Sequence, residues 1–262
     1  MYYKDKNSCE KYKKIIITVA LFVLVIDVSF AHEPLYGLGP DVLFKGALNP
    51  HLTFQAGRHE TENEFALGYG ITRNWTGIVE TPFLIEKGKY NLESVMLKSN
   101  YRFYKSDKPG LSYKAAFISE LELPRKSGEA KTLLCALTTG QEALRFYWFT
   151  FLGYQYNLTN NSFADNNEVK YGLAVGMRFN KPDYYKPDLV FLLEGTGSYH
   201  QKFEKNTDAP AFSGGNSGEI APTFILTYRN WALRGGVQFG VINTGDIEKT
   251  ETSAKITIEV HL

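Results

Sequence analysis

The sequence predicts an all-β protein, a single antiparallel transmembrane β-barrel of about 12 strands preceded by a cleaved signal peptide. Three observations lead there. The N-terminus is built like a secretory signal, the remainder alternates apolar and polar residues in long runs, and the connections between runs alternate short and long.

The signal comes first in the chain. Lys13 and Lys14 precede the apolar run from Ile15 to Ile26, and Ser29-Phe30-Ala31 follows with small residues at its first and third positions. A basic stretch, a short apolar core and a small-x-small site are the three parts of a secretory signal. The run is shorter than the ~20 apolar residues of a spanning helix. Residues 1–31 are therefore expected to be removed, leaving 32–262 as the barrel with a short periplasmic N-terminal segment at 32–49. Taking five lysines and three acidic residues from the chain's 29 basic and 28 acidic leaves a net charge of −1. So even a balance gives no reason to expect a nucleic-acid partner. Cys9 goes with the signal, and Cys135, left alone, forms no intramolecular disulfide.

The mature part reads as strands. In residues 169–179, Val169, Tyr171, Leu173, Val175, Met177 and Phe179 share one face, while Lys170, Gly172, Ala174, Gly176 and Arg178 share the other. This period of two marks a strand with one apolar and one polar side. The pattern returns at the C-terminus, where Ile256, Ile258, Val260 and Leu262 oppose Lys255, Thr257, Glu259 and His261. Read through, the chain offers strands near 50–58, 64–73, 76–86, 93–104, 111–123, 131–140, 145–157, 168–179, 188–200, 219–229, 231–242 and 252–262. Their length suits a tilted membrane strand. Phe146 to Leu152 is apolar on both faces and breaks the rule.

Short connections follow the even strands, as at Arg73-Asn74-Trp75 and Arg229-Asn230, and longer ones follow the odd strands, as at Gln201 to Gly218. Outer-membrane barrels sort their loops this way, with short periplasmic turns. Aromatic residues gather near the short turns: Trp75, Tyr101, Phe103, Tyr104, Phe146, Trp148, Tyr184, Tyr185, Tyr228 and Trp231. They read as one headgroup-level girdle, with Tyr154, Tyr156, Phe191 and Tyr199 assigned to the other. The mean hydropathy of −0.26 fits a wall in which every second residue meets lipid.

Rolled into a cylinder, the alternation sends Glu80, Lys98, Arg102, Lys114, Glu120, Glu122, Arg145, Lys170, Arg178, Glu194, Arg234, Lys255 and Glu259 to the lumen. A Lys or Arg facing lipid at midplane costs roughly 2–4 kcal/mol, so charges on a membrane strand belong inside. They could pair into a plug or line a solute path. The histidines His32, His51 and His261 form a weak metal candidate, with His51 and His261 on neighbouring strands once the barrel closes. No cofactor is implied.

An enzyme is the competing class. Outer-membrane phospholipase A, another twelve-strand barrel, places His and Ser two residues apart on one strand. Ser198-Tyr199-His200 has that spacing in reverse order, and no Gly-x-Ser-x-Gly elbow exists. A hydrolase is favoured only if Ser198 and His200 share a face beside a third polar residue. The chain is otherwise read as a non-enzyme.

Several stretches resemble the transporter-type outer-membrane barrels of the phenol-degradation (MetA-pathway) family: Tyr36-Gly37-Leu38-Gly39-Pro40 with Phe44-Lys45-Gly46, Leu67-Gly68-Tyr69-Gly70-Ile71-Thr72, Asn100-Tyr101-Arg102-Phe103-Tyr104, and Glu120-Leu121-Glu122-Leu123-Pro124. The resemblance implies integral outer-membrane location and transport of small solutes, hydrophobic ones among them. The expected partners are outer-membrane lipid, the barrel-assembly machinery and a small-molecule solute, with both termini periplasmic.

Overall fold

The computed structural model describes residues 33–57, 61–86, 89–125, 131–158, 167–180, 185–201, 214–245 and 251–262; residues 1–31, expected as a signal, His32 and most of the long connections lie outside these. The described residues hold no helix. They form one antiparallel sheet of β1 (Leu48–Ala56), β2 (Thr61–Thr72), β3 (Trp75–Glu86), β4 (Lys89–Leu92), β5 (Ser94–Lys108), β6 (Leu111–Pro124), β7 (Thr132–Ala143), β8 (Phe146–Asn157), β9 (Glu168–Arg178), β10 (Asp188–His200), β11 (Gly215–Tyr228), β12 (Trp231–Asn243) and β13 (Ser253–Val260).

Apart from the short β4, which pairs with β3 while β5 passes it to pair with β3 as well, each strand pairs with its neighbours in sequence, and β1 pairs with β13, His51 opposite Glu259 and Phe54 opposite Ile256. The sheet thereby closes on itself. Closure is obligatory in lipid, where every unpaired backbone group at an edge costs several kcal/mol. The thirteen strands occupy twelve positions around the wall, because β4 and β5 both pair with β3. Glu93 interrupts this stave opposite Pro82, whose nitrogen has no proton to give, and instead donates its own N–H to the Pro82 carbonyl at 3.2 Å.

Four of the short connections are two residues long: Arg73-Asn74, Pro109-Gly110, Leu144-Arg145 and Arg229-Asn230. Gly110 and Arg229 supply the positive φ (72° and 52°) that tight hairpins need. The strands at these turns run longer than the sequence pattern indicated, β5 reaching Lys108 and β7 reaching Ala143. Hydrogen bonding across the hairpin extends the ladder past the point where the apolar alternation fades.

The outer face carries the apolar set. Phe65, Leu67, Tyr69, Leu137, Leu173, Val175, Leu193, Phe239, Ile256 and Ile258 are all exposed to the surroundings of the isolated chain. At the short-turn end Trp75, Tyr101, Phe103, Tyr104, Phe146, Tyr185, Tyr228 and Trp231 are likewise exposed, which makes the girdle; Trp148 is half-buried, and Tyr184 lies outside the described residues. Phe191 belongs to this end too. It packs edge-on against Phe179 at 5.6 Å between ring centres, not in the opposite girdle expected from its place in the run.

Alternation at the seam gives a direct test. Ile258 is 39% exposed on the outer face, while Gln238 of neighbouring β12 points inward to Thr196 Oγ1. Ile258→Lys should cost ~2–4 kcal/mol near mid-bilayer and reduce the folded, heat-modifiable band on an unboiled gel, whereas Gln238→Lys should keep it. Equal loss in both variants would contradict the assignment of faces.

Candidate functional site

The inner face of the barrel is two-sided. On β8 to β11 Tyr147, Phe149, Ala174, Val190, Leu192 and Ile225 form a buried apolar cluster, flanked on the same strands by Glu194 and the Arg178–Asp188 pair. This explains the segment that broke alternation in the sequence. Phe146 and Leu152 face out, whereas Tyr147 and Phe149 face in and pack against the interior, so both faces of β8 are apolar for different reasons. On the opposite arc the inner face is charged and hydrogen-bonded.

Between the two walls runs a segment that precedes the first strand. Residues 33–43, expected to sit outside the barrel as part of a periplasmic stretch at 32–49, lie within it. The Glu194 carboxylate, 1% exposed, anchors the segment: it accepts the N–H of Leu35 at 2.8 Å, of Tyr36 at 2.9 Å and of Gly37 at 3.2 Å, and the Thr223 hydroxyl at 2.7 Å. Hydrogen bonds to a charged acceptor contribute ~1.5–3 kcal/mol each, so this carboxylate is the strongest fixing point of the interior. Arg234 donates to the Pro34 carbonyl at 3.1 Å, Thr138 to that of Leu38 at 2.9 Å, and Thr76 accepts the Leu43 N–H at 2.7 Å.

The segment leaves through a glycine contact. Gly46, at φ 84°, donates to the Gly70 carbonyl at 2.7 Å, and Gly70 donates to that of Ala47 at 2.9 Å. A Cβ on Gly70 would overlap the Phe44 carbonyl, so the approach requires glycine there. Burial, with Asp41 beside it, pushes the Glu33 carboxyl up to about 7, and Asp41 pairs with Lys114.

Most of the charges assigned to the lumen meet partners on the inner face. Lys98 pairs with Glu120 at 2.8 Å, Arg178 with Asp188 at 2.8 Å, and Arg234 with Glu259. Lys114 bridges Asp41 at 2.5 Å and Glu142 at 2.6 Å. Glu122 accepts from Thr132 at 3.2 Å, and Lys255 stands over the Tyr36 ring at 5.7 Å. Lys170 lies 3.9 Å from Glu168. Arg102 sits at the rim, its guanidinium donating to the Arg73 carbonyl at 2.7 Å. Arg145 differs from expectation. It falls in the Leu144-Arg145 turn and is exposed, because β8 begins only at Phe146.

Of the weak histidine set, His32 lies outside the described residues, and His51 stands opposite Glu259 across the seam. His261 is held 3.4 Å from the Asn49 amide and 3.7 Å from Glu259. His51 clusters with Glu64 and Glu80, their ligand atoms all within 4.8 Å of one another, but Lys98 and Lys255 act on the same Glu80 carboxylate and supply the countercharge a cation would bring.

Sequence reasoning missed the acidic partners Asp41, Glu142 and Asp188. Glu142 and Asp188 stand at strand ends where alternation gives no phase, and Asp41 belongs to a segment whose place inside the barrel has no periodic signature.

No protein-family model matches the chain, and no curated protein matches it in sequence. Solved structures do. The NanC porin superposes with a TM-score of 0.56 at 14% identity, covering 82% of this chain and all of the porin. The COG4313 outer membrane channel from Pseudomonas putida F1 superposes with a TM-score of 0.58 at 12% identity, covering 88% of this chain and all of the channel. The shared architecture is the outer-membrane β-barrel. At these identities it is the fold that is held in common.

The contrast between ion pairs can be measured. Lys114 is 10% exposed with two carboxylate partners, whereas the Lys105–Asp107 pair is 40% and 54% exposed. Removing one partner of a buried pair costs ~3–5 kcal/mol, and an exposed pair is worth ~0–1 kcal/mol. Lys114→Met should therefore lower the temperature at which the folded gel band disappears by many degrees, and Lys105→Met should leave it in place. Similar shifts in both would show that Asp41 and Glu142 are solvated.

Proposed function

We propose that the protein is a passive channel or uptake barrel of a bacterial outer membrane for small solutes, hydrophobic ones among them, with both chain ends on the periplasmic side. The two-sided lumen carries this reading. An apolar arc formed by Phe149, Val190 and Leu192 faces an arc of paired charges that includes Lys98–Glu120 and Arg234–Glu259, and residues 33–43 lie between them, so a solute with an apolar body and a polar group would find a surface for each where that segment gives way. The two structural neighbours, a porin and an outer membrane channel, agree with the proposal, as does the resemblance to the phenol-degradation family.

In this reading, residues 33–43 set the bore. They are held by side chains, not by the strand ladder, and can shift without unpairing the wall. Glu194→Ala removes the acceptor of three backbone N–H groups and should raise single-channel conductance in planar bilayers severalfold while the heat-modifiable band persists. Unchanged conductance in a folded variant would argue instead for a sealed structural barrel.

A further inference from the structure

Away from the anchored segment, the inner face of β9, β10 and β11 brings together Glu168, Ser198, His200 and Ser217. Ser198 and His200 are two apart on β10, so both side chains point inward. Ser198 Oγ lies 2.8 Å from His200 Nε2, and Glu168 Oε1 lies 3.3 Å from the other ring nitrogen, Nδ1. The order matters. A carboxylate accepting from Nδ1–H fixes the tautomer that leaves Nε2 free to accept the serine proton, and it stabilises the imidazolium formed when it does. The condition that would favour a hydrolase, Ser198 and His200 on one face beside a third polar group, is met by Glu168.

We propose that Ser198, His200 and Glu168 form a nucleophile, general base and orienting carboxylate that hydrolyse small carboxylic esters inside the barrel. Ser198 Oγ bonds to the ester carbonyl carbon as its proton passes to His200 Nε2. The tetrahedral adduct then breaks its bond to the leaving oxygen, which takes that proton and departs as the alcohol. Water repeats the sequence: its oxygen bonds to the acyl carbon as His200 Nε2 takes its proton, the acyl–Ser198 bond then breaks, and that proton returns to Ser198 Oγ as the acid leaves.

The surroundings suit such a step. The Ser217 hydroxyl, 2.9 Å from Ser198 Oγ, can turn to donate to a developing oxyanion. Lys170 stands opposite Ser198 in the β9–β10 register and adds a positive charge to the same patch. His200 and Glu168 keep 18% and 17% of their side chains exposed, so a lumenal solute can reach them. The carboxylates of Glu168 and Glu219, the latter bonded to Thr196 at 3.2 Å, favour uncharged esters over anionic ones.

The full chain, folded in detergent or vesicles, is treated with a fluorophosphonate probe and assayed with p-nitrophenyl butyrate. Mass spectrometry should find the probe on Ser198. Ester hydrolysis should fall by about a thousandfold or more in Ser198→Ala and His200→Ala, and markedly in the isosteric Glu168→Gln, with the heat-modifiable band retained. The proposal is overturned if the folded wild-type chain leaves Ser198 unlabelled and hydrolyses the ester no faster than Ser198→Ala. It is equally overturned if labelling and rate survive His200→Ala. Conductance is read separately, so a barrel that conducts without labelling loses the hydrolase and keeps the channel.

Discussion

Everything in this barrel depends on one constraint, the pairing of β1 with β13. Lipid offers no hydrogen bonds, so the only sheet that can reside there is one without edges. The register that joins His51 to Glu259 and Phe54 to Ile256 fixes which residues of both terminal strands face in. A slip of one residue along that seam would turn Ile256 and Ile258 into the lumen and Glu259 toward lipid. Thr53 and Thr257, hydrogen-bonded to each other at 3.0 Å on the inner face, tie the same register from within.

Given a closed wall, the interior becomes a problem of filling. The charged arc is satisfied by pairs across strands and by the segment ahead of β1, and the apolar arc by packing around Phe149. The two arcs have different energetics. Apolar contacts are non-directional and tolerate a shifting neighbour, whereas the carboxylate of Glu194 specifies where Leu35, Tyr36 and Gly37 must lie. Directional anchoring beside yielding contact can position a peptide without welding it to the wall.

The wall was legible in the sequence because each strand repeats the same period. Val169 to Phe179 and Lys255 to Leu262 give their facing at once, and the alternation of short and long connections gives the order of pairing. Two kinds of feature were not legible. Strand ends escape, as with Arg145, whose phase is inward but whose place is a turn. Contacts without periodicity escape as well: residues 33–43 contain Gly37, Gly39 and Pro40, a composition typical of a solvated loop, and only the carboxylate waiting at Glu194 makes them interior. Ser198 and His200 were visible as a spacing, but Glu168 joins them only because β9 pairs with β10, a relation of two strands that no single run displays.

The attachment of residues 33–43 to the wall at β1 has a further consequence. Such a segment behaves as a ligand on a tether, and its occupancy follows from local concentration as much as from contact strength. A short flexible connection holds a tethered group at millimolar effective concentration. At that level a handful of hydrogen bonds keeps the interior occupied most of the time. In the proposed channel a solute would compete against a rival that never diffuses away, and selectivity would lie partly in that competition.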